Sequence, residues 1–292
     1  MRWGCPVTDP KLARATDNGR YYDDPADGAS VMSVTNALSE WAKPALAPAA
    51  AKATAEYIVD HLPAAVRASR TEEARQEFLR EAKAHHRTVW DNRRDLGSLV
   101  HHHAEALVLG QPIPEDERVA PFIDSYQEWM NDFGVDIEQD VESAEVTVFS
   151  RSRPTLRYGG TADLWVNLRH LPKPYDRGLW LVDIKTSLTK PASTVYRDHV
   201  LQLAALRYAD VAVLPDDSEV EVPEFAGAAI LNLRQKTTRR QQGYGFVPLP
   251  ADELAHLTFL SLLGVAYYAH ALDLKTHKPI KAPVLRAVKG VA

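Results

Sequence analysis

The sequence predicts an α/β protein in which a helical N-terminal half is followed by a mixed β-sheet flanked by helices. Three observations predict it. Helix-capping and helix-breaking signals dominate the chain up to about residue 133. From residue 144 apolar residues alternate with period two, the mark of a half-buried strand. Beyond that, further strand-like runs surround one crossing helix, and a long apolar helix closes the pattern.

Residues 1–30 are polar, rich in Asp and Gly, and read as irregular. Pro44 and Pro48 divide the alanine-rich stretch into helices over 33–43 and 49–61. Ser69 with Glu72 fits a capping box that opens a helix running to about Asn92. A helix over 95–109 stops at Gly110, with Pro112 just beyond, and a further helical pattern covers 121–133. Strand patterns follow at 144–149, 156–168 and 179–185, then a helix at 196–209. Strands at 228–233 and 244–249 precede a closing helix over 252–274. The expected division is an N-terminal helical region, 1–94, and a core, 95–292.

The 292 residues are ample for a buried core, with 45% hydrophobic and 25% charged residues. No apolar run is expected to approach the roughly 18 residues that span a bilayer, and the N-terminus lacks a secretory pattern. A cytoplasmic protein with no membrane partner is expected, in the host cytoplasm if phage-encoded. Cys5 is the only cysteine, so the chain holds no internal disulfide, thiolate zinc site or four-cysteine iron–sulfur cluster. The net charge of −5 disfavours a general affinity for nucleic acid. Positive charge is nonetheless clustered. Arg234, Lys236, Arg239 and Arg240 form the expected phosphate-binding strip, with Lys190 and Arg197 near the site, and the tail after Asp273 carries only cations.

The informative segment runs from Gly159 to Lys185. Asp163 stands in Gly-Gly-Thr-Ala-Asp on one strand, and a later strand ends in Asp183-Ile184-Lys185. Side chains two apart on a strand share a face, so Asp183 and Lys185 point together while Ile184 points into the opposite layer. If the strands are neighbours, Asp163 and Asp183 converge on one hard cation. Two carboxylates, a backbone carbonyl such as that of Ile184, and waters make a shell suited to Mg²⁺ or Mn²⁺. Such a site fits phosphodiester hydrolysis, with Lys185 orienting the water or stabilising the charged transition state. Taken alone, an Asp-x-Lys triplet also fits an exposed strand end with an incidental ion pair.

Gly97-Ser98-Leu99-Val100-His101, Glu145 in a strand, Gly-Thr-Ala-Asp163, Asp183-Ile-Lys185 and Gln202-Leu-Ala-Ala occur in that order. This series resembles the PD-(D/E)xK nucleases of the RecB, CRISPR-associated and phage exonuclease type, over roughly residues 95–210. The resemblance implies that Asp163, Asp183 and Lys185 bind metal and catalyse. It also implies that His101 lies on a helix beside the metal, that Glu145 is a metal or water ligand, and that Gln202 lies close to the active site. It implies a metal-dependent DNA nuclease, an exonuclease of phage or bacterial recombination and repair, acting on DNA and sometimes with a recombination partner. The tyrosine that usually follows the glutamine by four residues is replaced by Leu206; His199 shares the glutamine's helical face. Of His101, His102 and His103 only one can face the metal, and Glu105 lies one turn beyond His101.

Other chemistries lack their motifs. There is no HExxH for a zinc hydrolase, no GxSxG and no GxxxxGK[ST]. The remaining alternative is a catalytically inactive nuclease fold kept as a DNA-binding or assembly module.

Overall fold

The structure is a computed structural model that describes residues 10–113, 115–214, 217–236, 238 and 241–272. Among these, ten strands form one mixed sheet. β1 (Ala13–Thr16), β2 (Gly19–Asp23) and β3 (Ser30–Ser33) open the chain, so the segment expected to be irregular is a meander joined to the sheet. Tyr22, Val31 and Met32 are buried there, and that apolar content outweighs the polar composition around them. The β1–β2 turn uses Gly19 at φ +99°, a conformation that favours glycine.

Ser33 ends β3 and caps α1 (Val34–Ala37) through its hydroxyl; a 3₁₀ turn covers Leu38–Glu40. α2 (Leu46–Asp60) and α3 (Leu62–Ala68) then pack against the N-terminal part of α4 (Glu72–Val108). α4 is one helix of 37 residues where the sequence suggested two. Its cap is Thr71, whose hydroxyl accepts from the Ala74 amide, rather than Ser69. No proline interrupts it, and the charged Asn92-Arg93-Arg94-Asp95 run is simply exposed helix. The expected boundary at 94/95 therefore falls inside α4, and β1–β3 belong to the same sheet as the later strands.

α5 (Ala120–Phe133) ends on Gly134 in the left-handed region, and a single-turn α6 (Ile137–Asp140) follows. β4 (Val141–Ser150), β5 (Tyr158–Leu168) and β6 (Gly178–Ser187) are the central strands. α7 (Arg197–Arg207) crosses to β7 (Val211–Val213), β8 (Glu219–Glu221), β9 (Gly227–Arg234) and β10 (Tyr244–Pro248), and α8 (Glu253–Ala271) closes the described chain. One face of the sheet buries Val148, Tyr158, Leu181 and Ile230 with Leu203 of α7 and Phe259 of α8. The other buries Leu164, Val182 and Leu231 with Val100 of α4 and Trp129 of α5. Contrary to expectation, α8 is long and apolar enough to cross a membrane by length and composition. Its Phe259, Leu260, Leu263 and Ala266 lie in the core.

The sheet forks where the site lies. Along one edge β5 pairs with β4 from Tyr158 to Val166, with a gap in the ladder at Asp163. Along the other it pairs with β3 only at Tyr158 and Gly159, and with β6 only from Leu164 to Leu168. Among the described residues, no strand pairs with 160–163 on that side. A cleft of about 790 Å³ opens in this gap, between α4 and the β2–β3–α1 segment.

Candidate metal centre

Asp163 is the last residue of β5 before the fork. Continuing the β5–β6 register by one pair past Leu164/Val182 sets Asp163 opposite Asp183. Continuing the β4–β5 register through Ala144/Leu164 and Val146/Ala162 sets Glu145 opposite Asp163. Three carboxylates thus form one row across three adjacent strands. Glu145 holds φ +51°, a left-handed backbone that a non-glycine residue adopts at a cost, in the middle of β4. The strand irregularity falls on the residue that turns its carboxylate toward this row.

His101 reaches the row from α4. Its Nδ1 lies 3.5 Å from Asp163 Oδ2 and 3.8 Å from Glu145 Oε1. His101, Glu145 and Asp163 each offer a ligand atom within 4.8 Å of the others. Gly97 of α4 faces the end of β6, where a Cβ would make an ordinary contact with Thr186 Oγ1 at 3.4 Å. Of the neighbouring histidines, His102 pairs with Glu105 at 3.8 Å, and His103 is buried with its Nδ1 2.7 Å from the Leu99 carbonyl.

Asp183 and Lys185 occupy the adjoining corner. Asp183 is 1% exposed; its Oδ1 accepts from Gln202 Nε2 at 2.7 Å, and its Oδ2 lies 2.5 Å from Lys185 Nζ. No well-directed hydrogen bond reaches Oδ2 among the described residues. Both Asp183 oxygens are thus engaged, and the residue stands beside the His101–Glu145–Asp163 group rather than within it. The Ile184 N–H donates to Asp163 Oδ2 at 2.6 Å, while its side chain enters the opposite core. That hydrogen bond takes the place of a ladder bond at the point where β5 and β6 part.

Burial pushes the Asp183 carboxyl up to about 6, against the pull of the Lys185 ammonium. Burial likewise pushes Glu145 up to about 7, opposed by His101 and reinforced by Asp163. Burial would raise Asp163 too, but His101, Lys185 and the Ile184 amide hold it below its ordinary value. His101 and Lys185 would each be lowered by burial, yet the surrounding carboxylates hold both above their ordinary values. His199 is lowered to about 4 by burial and the nearby Lys185. The corner carries more negative charge than its own cations neutralise, as a centre built around a divalent ion would.

Leu206, four residues after Gln202, is a buried apolar residue on the cleft floor packed over Gly160. A phenol enters the cleft from elsewhere, from Tyr22 of β2, whose hydroxyl lies 2.8 Å from Thr161 Oγ1. Lys190, Arg197, Arg234 and Lys236 do not line the cleft; Lys236 is ion-paired to Glu128 at 2.6 Å, and the Arg234 carbonyl accepts from Ser125. Arg239 and Arg240 lie outside the described residues. The cleft's exposed cations include Arg20, Arg93 and Arg94, which no sequence motif marks. Arg94 precedes His101 by seven residues and so shares its helical stripe, a signal hidden by dividing α4 in two.

No family model matches the chain, and no curated protein sequence matches it significantly. Among solved structures, a crystal structure of SSO0001 aligns over 51% of this chain and 57% of its own, at 12% identity and a TM-score of 0.27. A likeness that low carries no functional argument.

Proposed function

We propose that the protein is a metal-dependent DNA nuclease, an exonuclease of phage or bacterial recombination and repair, with its centre at His101, Glu145, Asp163, Asp183 and Lys185. The observation that carries the reading is the carboxylate row at the fork, with an imidazole on one side and a buried Asp–Lys pair on the other. A divalent cation held by Glu145, Asp163 and His101 would supply the charge that polarises a phosphoryl oxygen and acidifies a water. Carboxylates suit Mg²⁺, and the imidazole brings Mn²⁺ equally into range.

The chain's own groups have distinct tasks. Gln202 fixes one Asp183 oxygen and so sets the direction of the other, which holds Lys185. The Lys185 ammonium faces the cleft and stabilises charge developing on the phosphate as the water oxygen bonds to phosphorus and the ester P–O bond breaks. The Ile184 amide keeps Asp163 ionised and aimed.

The test is degradation of linear and covalently closed circular DNA with Mg²⁺, with Mn²⁺ and in EDTA, by wild type and Asp163→Asn. Asparagine keeps an acceptor for the Ile184 amide but removes the charge. Digestion of linear DNA only, dependent on metal and lost in the variant, is expected; equal attack on circles would exclude a strict exonuclease. Binding to DNA without cleavage under either metal would favour the inactive module, a reading to which the apolar Leu206 lends support.

A further inference from the structure

The cleft has its carboxylates on the floor and exposed cations at the rim. Arg93 and Arg94 line it from α4, upstream of His101 on the same helix. Arg20 lines it from β2, beside the Tyr22 hydroxyl. Both α4 arginines are exposed, and the Arg94 contact to Asp91, 2.8 Å, is a solvent-screened pair three residues apart that commits little of the side chain. A guanidinium is matched to a phosphate in two-pronged geometry.

Distance along the helix says which phosphate. Seven residues separate Arg94 from His101, about 10 Å at 1.5 Å per residue. A nucleic-acid strand advances about 3.4 Å per nucleotide when stacked, and further when extended. Arg94 therefore sits two to three phosphates from a group reacting at His101. The cleft, about 790 Å³, is in the range that encloses a compact ligand, which matches a short length of one strand.

We propose that Arg93 and Arg94 form a phosphate subsite that grips a single nucleic-acid strand two to three nucleotides from the reacting phosphate, replacing the strip expected at 234–240. The subsite rests on the nuclease reading for its distance from the chemistry, but not for its capacity to bind a strand.

The experiment measures binding of a fluorescein-labelled single-stranded oligonucleotide to the full chain across a salt series, with Ca²⁺ in place of Mg²⁺. Wild type is compared with Arg93→Ala/Arg94→Ala. The charge-matched control is Arg67→Ala/Arg70→Ala, whose arginines are exposed outside the cleft. Alanine keeps α4 helical, and circular dichroism verifies it. The double variant in the cleft should bind roughly tenfold or more weakly, with a salt slope smaller by about 1.4, or about 0.7 for each phosphate no longer neutralised. The control should keep the wild-type slope. Equal slopes in wild type and the cleft variant, or equal weakening in both variants, would overturn the subsite. A wild type that binds with full slope yet cuts nothing under Mg²⁺ or Mn²⁺ would remove the nuclease reading and leave the subsite standing. A wild type that binds no strand would remove both.

Discussion

Replacing Lys185 by alanine separates the catalytic role of the amine from its structural one. The ammonium is the cation 2.5 Å from Asp183 Oδ2, and Asp183 is 1% exposed. Removing one member of a buried pair is ordinarily severe, about 3–5 kcal/mol. Here the loss is capped, because Asp183 already sits at about 6 against an ordinary 3.8 and can take up a proton. A carboxyl whose folded value is raised contributes stability at low pH that is lost as pH rises. Below pH 6 Asp183 is largely protonated in wild type as well, so the deletion costs little there. Above it the variant must keep the proton that wild type releases, at about 1.4 kcal/mol per pH unit. At pH 7 the added cost is therefore about 1–2 kcal/mol, or about 2–8 °C in Tm for a chain of this size. Thermal unfolding in EDTA at pH 5, 6, 7 and 8 measures this. DNA degradation with Mn²⁺ should meanwhile fall by about a thousandfold, the scale of losing one preorganised electrostatic group. A stability loss near 4 kcal/mol that does not vary with pH would refute the reasoning, as would activity within tenfold of wild type.

Gln202→Leu removes the donor to Asp183 Oδ1, which should cost about 1–3 kcal/mol in denaturant unfolding. It should also move the acid limb of the pH–rate profile upward, because a less solvated Asp183 ionises later; an unmoved limb would remove Gln202 from the site. In EDTA the wild type should lose stability steadily from pH 5 to 8. Glu145 and Asp183 are raised to about 7 and 6 and His101 is raised as well, and each contributes less as pH climbs through its folded value. Excess Mn²⁺ should flatten or invert that slope by binding the ionised carboxylates, and calorimetry near pH 6.5 should record proton release on binding. Gly160→Ala should destabilise by about 1–3 kcal/mol, since its methyl would lie 2.8 Å from Leu206 Cδ2 and 2.9 Å from Val34 Cγ2. Unfolding within error of wild type would show that α1 and α7 yield there more readily than the packing suggests.

Much of the sheet was legible because its strands carry a local signal. Ala144 to Phe149 alternates, the 179–185 run is apolar until it ends in charge, and β9 and β10 fall within a residue or so of expectation. The first thirty residues were not legible. Their strands are four or five residues long, and the meander is held to the sheet by β3 pairing with β5, far away in sequence, which no local pattern records. In the site, the types and the order of the residues were readable, and so was the shared face of Asp183 and Lys185. What escaped was register. The row through Glu145 depends on a left-handed residue inside β4, and the direction in which Ile184 turns its amide depends on where the β5–β6 ladder stops. The cationic rim escaped because Arg93 and Arg94 look like ordinary solvated helix until the cleft beside them is known.

α4 also couples parts of the molecule that a boundary at 94/95 would have made independent. The helix that presents His101 is the same unbroken rod on which α2 and α3 rest. From Glu72 to His101 is about 43 Å of rise. A tilt of five degrees about the imidazole thus swings the far tip through about 4 Å. A displacement of that far end would therefore be felt, much reduced, where His101 meets the carboxylates, as at the jaw of a long-handled tool.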